Sequence, residues 1–147
     1  MREYIFRGKR KDNGELVEGF YVCLNSKSHR IYNGCAETDC GDYYPAWFEV
    51  IPETVGQYTG LTDKNRVKIF EGDIVRTQPF FDKPYSKKAK STQHIGVVEY
   101  IDGDTGAEWR VRIEDYIGYG YCAFSAFHNC EVIGNIHDNP ELLKGVE

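Results

Sequence analysis

A chain of 147 residues fits one domain able to bury a single sizeable core, and its 41% hydrophobic, 28% charged and 14% aromatic composition is globular rather than disordered. Its formal charge of -5 argues against coating of a nucleic-acid backbone unless its cations are segregated on one face. No run approaches the ~18 uncharged apolar residues of a membrane span, and Met1-Arg2-Glu3-Tyr4 does not lead into a signal-peptide core, so the expected location is the cytoplasm.

With 11 Tyr and 8 Phe, strands are favoured over helices. Residues 3–9 and 15–24 read as two strands joined by Arg10-Lys11-Asp12-Asn13-Gly14, where Asn-Gly supplies the positive φ of a tight hairpin. In the second run Leu16, Phe20, Val22 and Leu24 fall on one face at period two, and that face is expected to be buried. Residues 25–44 are polar and Gly-containing and read as loop, with one short strand around Arg30 to Tyr32. Residues 44–52 return to strand character, with Pro45 and Pro52 at the ends, where a ladder donor is dispensable.

The most patterned stretch follows, "TVGQYTGLTDKNRVKIFEGDIV". Gly56, Gly60 and Gly72, with Thr62-Asp63-Lys64-Asn65, mark reversals around the runs 67–70 and 73–77. Residues 78–94 shift to Pro, Lys and Ser and predict a long mobile loop. Residues 95–101 and 107–114 then predict an antiparallel hairpin buried on one side, because Trp109, Val111 and Ile113 alternate with Glu108, Arg110, Arg112 and Glu114. After the Gly- and aromatic-rich "YIGYGYCAFSAF", a strand is expected at 131–136 and a short C-terminal helix after Asn139, with Pro140 at its first position. The predicted fold is mainly β, a β-rich α+β class with antiparallel hairpins forming a small barrel. It is a single domain over 1–147, with two β lobes, 1–52 and 53–147, as the alternative division.

"ETVGQYTGLTDKNRVKIFEGDIVR" (residues 53–76), "VIGNIHDNPELL" (132–143) and the N-terminal "FRGKRKDNGELVEG" resemble the signature blocks of the YopX family of bacteriophage and prophage proteins. The resemblance spans nearly the whole chain. It implies a mostly β, phage-associated protein with an SH3-like barrel around "EGDIV", and it brings no catalytic set to carry over. Where relatives commonly place Asn-Gly in the turn, this chain has Asn65-Arg66. Either Asn65 alone takes positive φ there or the turn differs.

Candidate chemistry is sparse. Cys35 and Cys40, Cys122 and Cys130, with Cys23, His29 and His128, could supply a zinc site only if the fold gathered them, since only Cys35 to Cys40 approaches the spacing of a zinc knuckle. Five cysteines without a secretory signal read better as free thiols. Cys130 with His128 lacks a third group to orient the imidazole as a base. Glu37, Asp39 and Asp42 lack the ligand order of a calcium loop and read as a solvated acidic turn. Asp73, directly after Gly72 at a strand entrance, reads as a turn lock that accepts backbone N–H groups. Lys83, Lys87, Lys88 and Lys90, near Phe80, Phe81 and Tyr85, have the ingredients of a single-strand nucleic-acid contact, although an exposed solubilising loop is the commoner use. Tyr116, Tyr119, Tyr121, Phe124 and Phe127 could stack bases, but filling a β core is their commoner role.

The expectation is a non-enzymatic binding or assembly module of phage or prophage origin, without metal or cofactor. Its aromatic runs 43–48 and 116–127 exceed what one small core needs and point to a homo-oligomer with an unidentified protein partner. The alternative is a nucleic-acid-associated protein using the 83–90 loop.

Overall fold

Gly14 reverses the chain at positive φ as expected, whereas Asn13 contributes through its side chain and not through a positive φ. Gly14 takes φ +75°, the Glu15 amide donates to Asn13 Oδ1 at 3.0 Å, and the Arg10 amide donates to the Glu15 carbonyl at 2.9 Å. The computed structural model describes residues 3–25, 27–78, 80–81, 91–103, 106–113, 121–122 and 129–143, which are mainly β. The chain divides into two units, Met1–Tyr58 and Thr59–Glu147.

In the first unit, β1 (Phe6–Lys9), β2 (Leu16–Leu24), β3 (Ser28–Glu37) and β4 (Tyr43–Glu49) form an antiparallel sheet in the order β4-β3-β2-β1. The start of β5 (Gly56–Thr62) pairs along the free side of β1 through Gly56 and Gln57. Its core is Val17, Ile31 and Val50, packed with Phe6, Tyr21, Phe48 and Val55. A short 3₁₀ turn, Pro52–Thr54, follows, and its Thr54 hydroxyl accepts from the Lys9 amide at 2.9 Å.

Three expectations change here. The alternation in β2 has the expected period but the opposite sense: Val17 is buried at 7% exposure, whereas Leu16, Phe20, Val22 and Leu24 all face outward. Both sides of this strand carry apolar residues, so the period alone does not choose the buried one; Gly19 lies on the inward side, where an added Cβ would lie 2.1 Å from the Tyr32 carbonyl oxygen. The segment read as loop holds the ten-residue β3, which is paired on both sides, to β2 and β4. Two ladders stabilise a polar sequence that shows no period of its own. Pro45 lies inside β4 rather than at its end, a position available because β4 is an edge strand.

The second unit contains β6 (Lys68–Phe70), β7 (Asp73–Arg76), β8 (Phe80–Phe81), β9 (Ser91–Thr92), β10 (Ile95–Gly103), β11 (Gly106–Arg112), β12 (Tyr121–Cys122) and β13 (Glu131–Asn135). Five of these form an antiparallel sheet in the order β12-β11-β10-β7-β13, and β8 pairs with β9 at the base of the segment expected to be a loop. The β10–β11 hairpin matches its prediction, with Trp109, Val111 and Ile113 buried and Glu108, Arg110 and Arg112 partly exposed. With Ile69, Val75, Val98 and Cys130 they make the core. Each such aliphatic side chain contributes roughly 1.5–3 kcal/mol by burial.

Within the patterned stretch, Gly72 does turn the chain at φ +80°, but Gly56 and Gly60 lie inside β5. Arg66 itself takes the left-handed conformation, φ +66°, so the departure from Asn-Gly is absorbed by Arg and not by Asn65. The C-terminal helix is a 3₁₀ turn, Pro140–Leu143, within the described residues. Asn139 packs against Gly134, where a Cβ would come within 2.6 Å of the Asn139 Oδ1.

Candidate functional site

Direct cross-strand partners in an antiparallel sheet point to the same side. Phe20 is opposite Tyr32, and Tyr32 is opposite Trp47, so the three rings form one row across β2, β3 and β4 on the side away from Val17 and Ile31. The next row is Val22, Arg30 and Glu49, followed by Leu24 opposite Ser28. On the other flank Arg7 is opposite Glu18 and Lys9 is opposite Leu16. Along β4 the alternation adds Tyr43 and Pro45, whose partners are Glu37 and Cys35. The result is an aromatic and aliphatic sheet face open to solvent.

The Arg30 guanidinium lies 3.8 Å over the Trp47 ring, a cation–π contact. The Arg30 Nε and the Ser28 Oγ are buried without a hydrogen-bond partner. At the β4 margin, an open pocket of about 360 Å³ is lined by Lys11, Asp12, Trp47, Phe48 and Glu49, so it borders the face through Trp47. Such an arrangement can desolvate large rings and pair an Arg.

The other candidates separate. Cys23, Cys35 and Cys40 are free and exposed, and Cys130 is free and buried in the second unit. Burial, reinforced by the Asp63 charge, pushes the Cys130 thiol up to about 11, which makes it a poor nucleophile. Opposite Cys23, His29 shares a hydrogen bond of 2.5 Å between its Nδ1 and the Tyr21 hydroxyl. Burial raises the Tyr21 hydroxyl, with a smaller contribution from Cys23. Among the described residues no three His, Cys, Asp or Glu side chains gather as a metal site. Asp39 and Asp42 belong to an exposed turn between β3 and β4, closed by the Asp42 amide donating to the Thr38 hydroxyl at 3.0 Å. Lys83, Lys87, Lys88, Lys90, His128 and the aromatic candidates Tyr116, Tyr119, Phe124 and Phe127 lie outside the described residues, as does the side chain of Tyr121.

Two buried carboxylates organise backbone. Asp73 accepts from the Phe70 amide at 2.8 Å and locks the β6–β7 turn, as its position after Gly72 suggests. Asp63 was legible only as part of a reversal, yet it is the larger hub. Its Oδ1 accepts from the Asn65 and Val67 amides at 2.7 and 2.9 Å, and its Oδ2 from the Val132 amide at 3.1 Å. Burial pushes this carboxyl up, but the three amides and Lys64 together outweigh it and hold the group below its ordinary value.

Both carboxylates lie inside the segments that carried the sequence resemblance, and a family model described as YopX protein matches residues 5–144. The chain belongs to the YopX family. A solved structure with a similar fold is protein EF1440 from Enterococcus faecalis, with a TM-score of 0.57 and 25% sequence identity. The alignment covers 97% of this chain and 99% of that one. No curated protein matches the chain. The YopX match therefore takes in both the scaffold carboxylates and the open aromatic face. No helix among the described residues is long and apolar enough to cross a membrane.

Proposed function

We propose that this YopX-family chain is a non-enzymatic binding or assembly module that acts in the cytoplasm of a bacterium carrying the phage or prophage. Its working surface is the outer side of the β1–β4 sheet. One observation carries the reading: three rings, Phe20, Tyr32 and Trp47, are aligned across three strands on the side opposite the core, with Phe20 67% exposed. Trp, Tyr, Phe and Arg are the residues enriched at the centres of protein interfaces. A contiguous apolar face that the chain's own core leaves open marks an interaction site more often than a packing accident.

A nucleic-acid role through Lys83, Lys87, Lys88 and Lys90 remains the second reading. The same face is less suited to it, because Leu16, Val22 and Leu24 offer bases nothing to stack on and Glu18, Glu37 and Glu49 repel phosphate. A photo-reactive side chain placed at position 20 tests the docking role in living cells, with exposed Val67 as the control position. A discrete protein adduct from position 20 and none from position 67 supports it. No adduct from position 20 defeats it.

A further inference from the structure

We infer that the occupant of this face is a second copy of the same chain, docked sheet against sheet. The inference rests on the docking reading above and names the partner.

Extent is the first argument. Phe20, Tyr43 and Trp47 are 67%, 70% and 42% exposed, and Leu16, Val22 and Leu24 each keep more than a third of their surface in water. Taking ~150–250 Å² for each large ring, these six side chains present roughly 600 Å². That reaches the lower end of the ~600–1,000 Å² per partner that stable complexes bury. An open sheet face of this extent is matched by another sheet face, with ~10 Å between the two layers.

Charge is the second. Arg7, Lys9 and Arg30 stand on this side with Glu18, Glu37 and Glu49, and Lys11 lies 3.9 Å from Glu49 at the margin, so the face mixes both signs and is close to neutral on a chain that carries -5. Two acidic copies repel over most orientations, and contact through a near-neutral, mixed-sign face is the orientation least opposed. An acidic or a basic partner would instead select a face of one sign.

Mode of contact is the third. β4 closes one side of the first unit's sheet, but Pro45 removes a ladder donor in the middle of it. Strand addition at that edge is blunted, which leaves the face as the contact. The contact is isologous, with the same patch contributed by both copies.

Light scattering over a micromolar concentration series tests the inference. The wild type is expected at the mass of two chains, and Phe20→Glu and Leu24→Lys at the mass of one, with circular dichroism unchanged because neither side chain belongs to the chain's own core, and with thermal midpoints lowered by no more than the loss of pairing accounts for. Phe20→Leu is expected to keep the pair. A wild-type mass of one chain throughout, or a two-chain mass retained by both charged variants, overturns the inference. The cross-linker at position 20 separates the two levels of the account. An adduct of doubled chain mass supports both, and an adduct to a different protein overturns self-docking while leaving the docking face. No adduct removes both.

Discussion

The Asp63 carboxylate accepts a hydrogen bond from the Val132 amide, 69 residues away in sequence, and thereby ties the β5–β6 turn to β13. Two further amides, of Asn65 and Val67, share the same group. Replacing Asp63 by Ala strands three donors at a site only 6% exposed. The expected loss is about 2–4 kcal/mol by urea unfolding, since each buried unpaired donor costs ~1–3 kcal/mol and neighbours share the strain.

The same residue sets a pH dependence. Its carboxyl is held below the ordinary value of 3.8, so its contribution to stability is complete above that value and declines as pH falls through the folded pKa. Wild type and Asp63→Asn should therefore differ most near neutral pH and converge in acid. Urea midpoints for the two proteins across about pH 2–7 read this directly. A constant gap over that range contradicts it.

Arg66 holds φ +66°, a conformation that costs a side chain with a Cβ about 1–2 kcal/mol. Arg66→Gly is expected to raise stability by up to ~1 kcal/mol, the gain being reduced by the greater freedom of Gly in the unfolded chain. A thermal midpoint that falls on this change would show that the Arg66 side chain contributes more than its backbone strain removes.

How much of this was legible depended on whether the deciding interaction was local. Trp109, Val111 and Ile113 alternate with charged residues, so both the period and the buried side could be read from the sequence. Asp73 could be read because a Gly-Asp turn is a local device. In β2 the period was legible and the side was not: apolar residues occupy both parities, and the buried side is set by contacts across strands, such as the close approach of Gly19 to Tyr32, that no local pattern encodes. The length of β3 was hidden for the same reason, because its two ladders are supplied by β2 and β4. Asp63 gave a faint signal, an Asx turn to Asn65, and nothing in the sequence pointed on to Val132. The aromatic face emerged only when the side of β2 was settled.

Gly19→Ala follows from that contact. A Cβ 2.1 Å from the Tyr32 carbonyl oxygen forces β2 and β3 apart, and a loss of roughly 2 kcal/mol or more is expected in thermal unfolding. Gly14→Ala is the contrast: its added Cβ meets nothing within 4 Å, and its φ of +75° leaves only the left-handed strain. The expected cost there is about 1–2 kcal/mol.

Thiol labelling followed by peptide mapping should find Cys23, Cys35 and Cys40 modified in the native protein and Cys130 protected until the chain unfolds. The first three are exposed, and the fourth is fully buried with its thiol pushed up to about 11. Modification of native Cys130 at the rate of the others would contradict the packing of the second unit's core.

Trp47 lies on the docking face and reports its burial. The chain has two Trp, and Trp109 is buried with its indole Nε1 unpaired, so Trp109→Phe removes no hydrogen bond and leaves Trp47 as the sole indole emitter. Acrylamide quenching of that variant is then followed as protein concentration rises from nanomolar to micromolar. The account predicts that Trp47 starts accessible and becomes shielded over the same range in which the mass doubles, and that Phe20→Glu keeps it accessible throughout. Quenching that stays constant with concentration, in a protein whose mass also stays constant, contradicts it.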